Sequence, residues 1–462
     1  MLRRTLKTIG WTAGCVAALA IVLYLFAVAL NWRDREASAT AVKLETLYRD
    51  RPSVRDEDNA FIYLMGFEAA PAESPQTMGL KRVAWMRQSS NAKPFDARQD
   101  PLNKPADYRA ARNPKIRKFL DACRPGSVNC AAAFDASEAM FAAWMGSEGW
   151  LLERYRGLIA HVGWYDSVPF DPARPLPAYG TVMDGQVLLL LQARALAQKG
   201  DYDGTRELLE NDNLFWRRVL ESSDTLISKM IATAAVTRNL EWGNLIVRRL
   251  PPASATRAIP NSWRTSVSDS ERSMLRCMIG EFQFISDMLR NEAMSDYIDD
   301  ENSFGARVAD LLLEPMHQPQ DSLNAYAEYY LRIAQTWHVP FPQYETAVIE
   351  TEQLAQRMQV EALPPKSLYN VTGKILMNMG VADFGSYARR VADLEGIRRA
   401  VLTAATLREA RVPASAARAA LATAIAPRNP YTDRPFLWDE KDNAIVFQGL
   451  EAGDRGKHEI YY

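Results

Sequence analysis

The chain has 462 residues, of which 48% are hydrophobic and 24% are charged. This composition excludes general disorder, because a chain of this length and apolar content can bury a large core. Its 55 lysines and arginines balance 56 aspartates and glutamates, so no overall charge favours a nucleic-acid partner.

The first feature along the chain is an uncharged, mostly apolar segment at residues 8–32. A helix of this length crosses a bilayer core of about 30 Å. Three basic residues precede the segment, whereas the four charges that follow it cancel. By the positive-inside rule we predict that residues 1–7 are cytoplasmic, that 8–32 form a transmembrane helix in the lipid bilayer, and that 33–462 are exported.

A cleaved signal peptide is the alternative interpretation of this segment. The sequence Ala-Ser-Ala at 37–39 resembles a cleavage site. However, the apolar stretch exceeds the roughly 7 to 15 residues usual in signal peptides, and four charges separate it from that site. We therefore expect an uncleaved anchor.

Residues 33–135 contain many prolines and only short apolar runs, which predicts an irregular, loop-rich segment with short helices. Cys123 and Cys130 flank a Pro-Gly turn within it. In an oxidising compartment such a pair tends to form a disulfide. A thioredoxin-type redox centre would need closer spacing, and a zinc site would need two further ligands. We predict a disulfide between a helix near 115–122 and one that begins around 131.

Residues 136–426 are predicted to form a helical domain, because apolar residues recur there at spacings of three and four. Ser268 and Glu271 fit a capping box. Strand signals are scarce before 435–450, where two β-prone runs flank a polar loop and predict a hairpin within a C-terminal module at 427–462. The main predicted helices are 183–199, 271–289, 322–337, 344–358, 367–379 and 386–411.

Residues 188–212 resemble one tetratricopeptide hairpin, with Gly200, Asp201 and Tyr202 at its tight turn. Thr205 stands where that repeat normally has alanine, and a following hairpin at roughly 223–250 is compatible only in length. The resemblance implies a stack of helical hairpins. The predicted fold class is therefore mainly α, an α-solenoid-like exported domain with a small C-terminal β-hairpin, preceded by one transmembrane helix.

The tail at 429–450 is similar to a C-terminal module of uncharacterised bacterial envelope proteins and to the tail of some pseudopilins. Asn429, Pro430, Tyr431 and Pro435 carry this likeness. Together with the anchor, the cysteine pair and the helical middle, it resembles an uncharacterised family of single-pass proteobacterial envelope proteins. That resemblance implies an inner-membrane protein with its domain in the periplasm, and it implies no activity.

No sequence motif identifies a reaction, a cofactor or a metal site. The phosphate-binding loop, the serine-hydrolase elbow and the H-E-x-x-H zinc motif are all missing from the sequence. The four histidines are too far apart in the sequence to suggest a shared metal; they are His161, His317, His338 and His458.

Glu148 is one weak candidate for a catalytic acid, because it lies in an aromatic-rich helical stretch like the acid of exported glycan lyases. The alternative is a solvated residue beside a helix break at Gly146 and Gly149. No second carboxylate is identifiable as its partner.

The leading hypothesis is a non-enzymatic, membrane-anchored periplasmic protein that binds or positions another envelope component. The first alternative is a cell-wall glycan hydrolase or lyase on a superhelical scaffold. The second is an accessory subunit of a secretion or pilus-like system, which only the tail suggests. Nothing in the sequence indicates an oligomeric state.

Overall fold

The computed structural model describes residues 2–88, 97–102, 113–123, 130–168, 175–290, 311–361, 368–380, 384–423 and 427–462. Twenty α-helices and a small three-stranded antiparallel sheet form this part of the chain, which confirms the predicted fold class. The first ten helices are α1 (Leu2–Leu30), α2 (Ala39–Arg49), α3 (Ala60–Met65), α4 (Pro75–Gln88), α5 (Pro114–Ala122), α6 (Cys130–Ala136), α7 (Glu138–Ser147), α8 (Gly149–Ile159), α9 (Tyr179–Gln198) and α10 (Tyr202–Ser222). The others are α11 (Leu226–Val247), α12 (Pro252–Ala258), α13 (Asn261–Arg264), α14 (Asp269–Arg272), α15 (Leu275–Arg290), α16 (Pro319–Thr336), α17 (Tyr344–Glu361), α18 (Val371–Gly380), α19 (Phe384–Glu409) and α20 (Ala414–Thr423).

The apolar N-terminal segment forms one helix, as predicted. Its stretch Trp11–Leu30 has 20 residues and a mean hydropathy of 2.6, and only 6% of it is buried. This helix is long and apolar enough to cross a membrane, a criterion that a signal sequence also meets.

The chain divides into two compact units. Unit 1 comprises Met1–Asp50, Phe282–Ile333 and Glu350–Asp383, whereas unit 2 comprises Arg51–Glu281, Ala334–Ile349 and Phe384–Tyr462. Each unit therefore combines segments that are far apart in the sequence.

In unit 1, buried polar side chains hold the end of α1. The amide nitrogen Nδ2 of Asn31 donates to the carbonyl of Leu368 (2.8 Å), and its Oδ1 accepts from the backbone N–H of Asn370 (2.7 Å). Gln318 donates through Nε2 to the carbonyl of Asn31 (2.6 Å). Asn31, Gln318 and Asn370 are all buried, so each bond also satisfies a polar group that burial would otherwise leave unpaired.

The residues that follow α1 are bonded into unit 1 as well. The carboxylate of Asp34 accepts from the backbone N–H groups of Gln320 (2.7 Å) and Asp321 (3.1 Å), and so caps the N-terminus of α16. The backbone N–H of Ser38 donates to Oδ1 of Asn324 (2.8 Å). The connection between α1 and α2 is therefore an integral part of this unit.

In unit 2, α9 and α10 form the predicted helical hairpin. Gly200 has φ of 79° at the turn, where a side chain would be strained. The side chain of Asp201 accepts from the backbone N–H of Gly204 (2.9 Å) and caps α10.

The second hairpin at roughly 223–250, which only the length of this segment allowed, does not form, because these residues contain one long helix, α11. Thr225 caps its start by accepting from the backbone N–H of Ser228. The helix contains no proline, and a Cβ on its single glycine, Gly243, would meet the ring of Trp263 at 2.5 Å, so this glycine serves close packing and not a turn. Each of α9, α10 and α11 packs against the other two.

The predicted helix at 271–289 is confirmed from Leu275 onward as α15, but the chain breaks at residues 273–274, after α14. The predicted capping box of Ser268 and Glu271 is confirmed at the start of α14. The buried ammonium of Lys229 accounts for the break: it donates to the carbonyls of Glu271 (2.7 Å) and Ser273 (2.9 Å). A continuous helix would use those carbonyls itself.

The C-terminal hairpin is confirmed, and a third strand extends it. Strands β1 (Leu437–Asp439) and β2 (Ala444–Gln448) pair antiparallel with Trp438 opposite Ile445. Strand β3 (Lys457–Tyr461) then pairs antiparallel with β2, with His458 opposite Phe447. This places His458 on a sheet that packs against α19.

Cys123 and Cys130 are paired as predicted, with their Sγ atoms 2.23 Å and their Cα atoms 4.4 Å apart. Cys123 follows the last residue of α5 and Cys130 is the first residue of α6. The disulfide therefore joins the ends of two short helices.

Candidate functional site

Unit 2 contains a cleft of about 990 Å³, formed by α5, α9, α11, α19 and the residues around β3. One face of helix α11 lines the cleft, because the lining residues of this helix are spaced by three and four positions and so lie on the same side. From this helix the lining residues are Met230, Thr233, Ala234, Thr237, Arg238, Glu241 and Trp242. Arg390, Asp393 and Ile397 of α19 line the cleft at the same helical spacing.

A buried histidine and a part-buried carboxylate form one wall of the cleft. Nδ1 of His458 lies 3.0 Å from Oε1 of Glu241, and the His458 ring stacks on Phe447. Burial alone would lower the pKa of His458, but the bond to Glu241 and the charges of Glu241, Asp393 and Glu451 outweigh burial and raise it. The pair thus favours a charged imidazolium.

Asp393 links α19 to the sheet beside this pair. Its carboxylate accepts from the hydroxyl of Tyr431 (2.7 Å) and from the backbone N–H of Leu450 (2.9 Å). Burial raises the pKa of Asp393, although the charge of His458 and these hydrogen bonds oppose the increase. The partners of Asp393 lie within the protein, so this carboxylate positions the cleft wall.

Three of the arginines that line the cleft are Arg117, Arg238 and Arg455. The Arg238 guanidinium donates to the carbonyl of Met183 (3.3 Å) and to Oε1 of Gln186 (3.1 Å), both neutral acceptors. Burial lowers the pKa of Arg238, which nevertheless stays charged because arginine titrates far above neutral pH. Arg117 and Arg455 are exposed, and neither forms an ion pair with any residue in the described ranges.

The disulfide predicted from the sequence borders this cleft. Cys123 lines the cleft together with Arg117, Leu120 and Asp121 of α5. By joining α5 to α6, the bond to Cys130 restrains the helix that carries Arg117.

Glu148 lies elsewhere, and the interpretation of it as solvated is wrong. Its side chain is 2% exposed and does not line the cleft. The residue separates α7 from α8: its N–H donates to the carbonyl of Trp144, and its carbonyl accepts from the N–H of Leu151. The backbone leaves helical geometry at this position, with φ of −121° and ψ of 31°.

The histidines do not gather into a metal centre within the described ranges. The group there that resembles a metal site is acidic, with Asp439, Asp442 and Glu459, and Lys457 already pairs with Glu459. His458 is the histidine of functional interest, and sequence reasoning missed it because its partners lie on α11 and α19. The sequence of β3, Lys-His-Glu-Ile-Tyr, does not alternate between polar and apolar residues, so it gives no signal that His458 is buried.

Fold and site together define a mainly helical protein with a candidate membrane span and a charged internal cleft. Comparison with known proteins adds no relative: no family model, no curated protein and no solved structure matches the chain.

Proposed function

We propose that this is a single-pass inner-membrane protein whose exported part binds another envelope component in the unit 2 cleft. The observation that carries the proposal is the arrangement of Arg117, Arg238 and Arg455 around a cleft of about 990 Å³. Five carboxylates also line the cleft, and those of Glu241 and Glu451 pair internally with His458 and Arg390; the five belong to Asp121, Asp184, Glu241, Asp393 and Glu451. The exposed Arg117 and Arg455, which form no ion pair with the described residues, favour an occupant that carries carboxylate groups, such as an acidic segment of a partner.

The bonds of residues 31–38 support an uncleaved anchor. Cleavage after the Ala-Ser-Ala sequence would remove Asn31, which bonds to three segments of unit 1, and Asp34, which caps α16. It would leave the buried backbone N–H of Asn370 without its acceptor, at a cost of about 1–3 kcal/mol for that group alone.

The test is to crosslink the occupant to a residue that lines the cleft. A photo-crosslinking amino acid at Thr237 of the full chain in its native membrane should capture a specific partner. Ala234→Trp in the same chain should abolish capture, because the alanine is exposed on the cleft wall and the indole would fill the space. Ala419→Trp is the matched control, since Ala419 is exposed on α20 and does not line the cleft.

Equal capture by wild type and Ala234→Trp would refute binding in the cleft.

The hydrolase alternative is tested by zymography on purified peptidoglycan with wild type and Glu148→Gln. The binding proposal predicts no clearing by either protein, and clearing that Glu148→Gln abolishes would favour the enzyme. The accessory-subunit alternative predicts capture of a secretion-system or pilus component in the same experiment.

A further inference from the structure

Unit 1 exposes a group of large apolar side chains near the end of α1. Leu311 is 69% exposed, Leu312 44%, Leu368 45% and Ile375 38%, and Trp32 next to α1 is 86% exposed. Single exposed leucines are common on protein surfaces and need no explanation. A group of exposed apolar side chains beside a candidate membrane span instead indicates an interaction surface.

Hydrogen bonds place the backbone segments that carry these side chains beside the last turn of α1. Leu368 accepts from Asn31 through its own carbonyl (2.8 Å), so it lies next to the first residue after the span. The hydroxyl of Thr372 donates to the carbonyl of Leu313 (2.7 Å), which brings the segment containing Leu311 and Leu312 to the start of α18. Ile375 follows Thr372 by one helical turn.

The depth of this surface follows from the anchor. If α1 spans the bilayer over Trp11–Leu30, then Asn31 and Trp32 lie at the boundary between lipid and water. Leu368 lies at the same depth, because its carbonyl bonds directly to Asn31.

We propose that Leu311, Leu312, Leu368 and Ile375 enter the bilayer interface beside α1, so that unit 1 makes a second contact with the lipid. On α1 itself, Leu23, Phe26 and Leu30 are 56%, 54% and 45% exposed, so the span also presents apolar side chains. Apolar side chains at this depth transfer from water into the interface, and the exposed Arg33 beside them suits anionic headgroups. This inference rests on the proposed anchor.

The experiment uses the full chain in lipid nanodiscs that hold one copy each. A polarity-sensitive fluorophore is attached at one cysteine at a time, and nanodisc lipids carry a quencher either near the headgroup or deep in the acyl chain. The native Cys15 thiol, exposed on α1, reports on the span itself. Leu311→Cys in a Cys15→Ser background reports on the proposed contact, and Leu312→Cys in that background is a second reporter.

Leu437→Cys in the Cys15→Ser background is the matched control, because Leu437 is also 67% exposed but belongs to β1 of unit 2. We expect the shallow quencher to act at positions 311 and 312 at least about threefold more strongly than at 437, as for interfacial side chains. Deep quenching at Cys15 with equal, weak quenching at 311 and 437 would overturn the second contact and leave the anchor intact.

No quenching at Cys15 would instead refute the anchor and this inference together. A fluorophore at 311 that is shielded from water but not quenched by lipid would also overturn the inference, since protein would then cover the surface.

Discussion

His458 illustrates how a buried charge can be maintained by its neighbours. Its pKa is raised above the usual value because Glu241, Asp393 and Glu451 outweigh the effect of burial. A group whose pKa is higher in the folded state stabilises that state below the unfolded pKa of about 6.5, and this contribution is lost as pH rises through the folded pKa. Glu241 is part-buried, so the pair is also partly shielded from solvent.

We therefore predict that His458→Gln lowers the free energy of unfolding by about 1–3 kcal/mol at pH 6, with a smaller loss at pH 9. Denaturant unfolding of the full chain in detergent, followed by tryptophan fluorescence, measures this difference. His338→Gln is the control, because His338 is exposed. A loss that is the same at both pH values would contradict the proposed charge state.

Lys229 provides a second test at the scale of single residues. Lys229 is 2% exposed, and its ammonium donates to the carbonyls of Leu220 (2.6 Å), Glu271 and Ser273. Lys229→Met would leave three carbonyls without this donor, and we expect a loss of about 2–4 kcal/mol in the free energy of unfolding.

The exposed Lys81 gives the control substitution, Lys81→Met, which should change stability by less than about 0.5 kcal/mol. Similar effects at the two positions would show that the buried ammonium does not stabilise the break between α14 and α15.

The α3–α4 pair is sensitive to an added methyl group. A Cβ on Gly79 would lie 1.8 Å from the carbonyl oxygen of Ile62, so Gly79→Ala must push the two helices apart. We expect a loss of about 1–3 kcal/mol for this overpacking, measured by denaturant unfolding.

Gly146→Ala should have the opposite effect, because nothing lies within 4 Å of the added Cβ. Alanine in α7 should raise the free energy of unfolding by roughly 0.5–1 kcal/mol through its helix propensity. Destabilisation at Gly146 equal to that at Gly79 would refute the packing argument.

At the element scale, the sequence predicts features whose causes are local. The turn at Gly200, the capping box at Ser268 and the hairpin at β1–β2 each depend on residues within a few positions. The break before α15 could not be predicted in this way, since the Lys229 ammonium that produces it comes from another helix. The cleft was missed for the same reason, because its lining residues come from separate parts of the chain.

For the whole molecule, the disulfide tests where the chain resides. Disulfides persist in oxidising compartments, so an exported unit 2 should contain the Cys123–Cys130 link. Mass mapping of the full chain, alkylated in intact cells and digested without reductant, should recover the linked peptides. Free thiols at both positions would contradict export.

Loss of the disulfide should also lower the free energy of unfolding. In the chain-entropy model, a loop this short contributes about 2.5 kcal/mol. Cys123→Ser with Cys130→Ser should lower the free energy of unfolding by that amount, whereas Cys277→Ser changes a buried thiol outside the link and serves as the control.

If α1 is the proposed membrane anchor, the bonds around Asn31 couple that anchor directly to unit 1. A flexible tether would let unit 1 tumble independently of its anchor, whereas Asn31, Asp34 and Ser38 fasten it at successive points. Turning the anchor about its own axis therefore turns unit 1 with it. A shortened chain that starts after residue 38 would lose these bonds to unit 1 together with α1, so biochemical work on a chain without the span should retain residues from Asn31 onward.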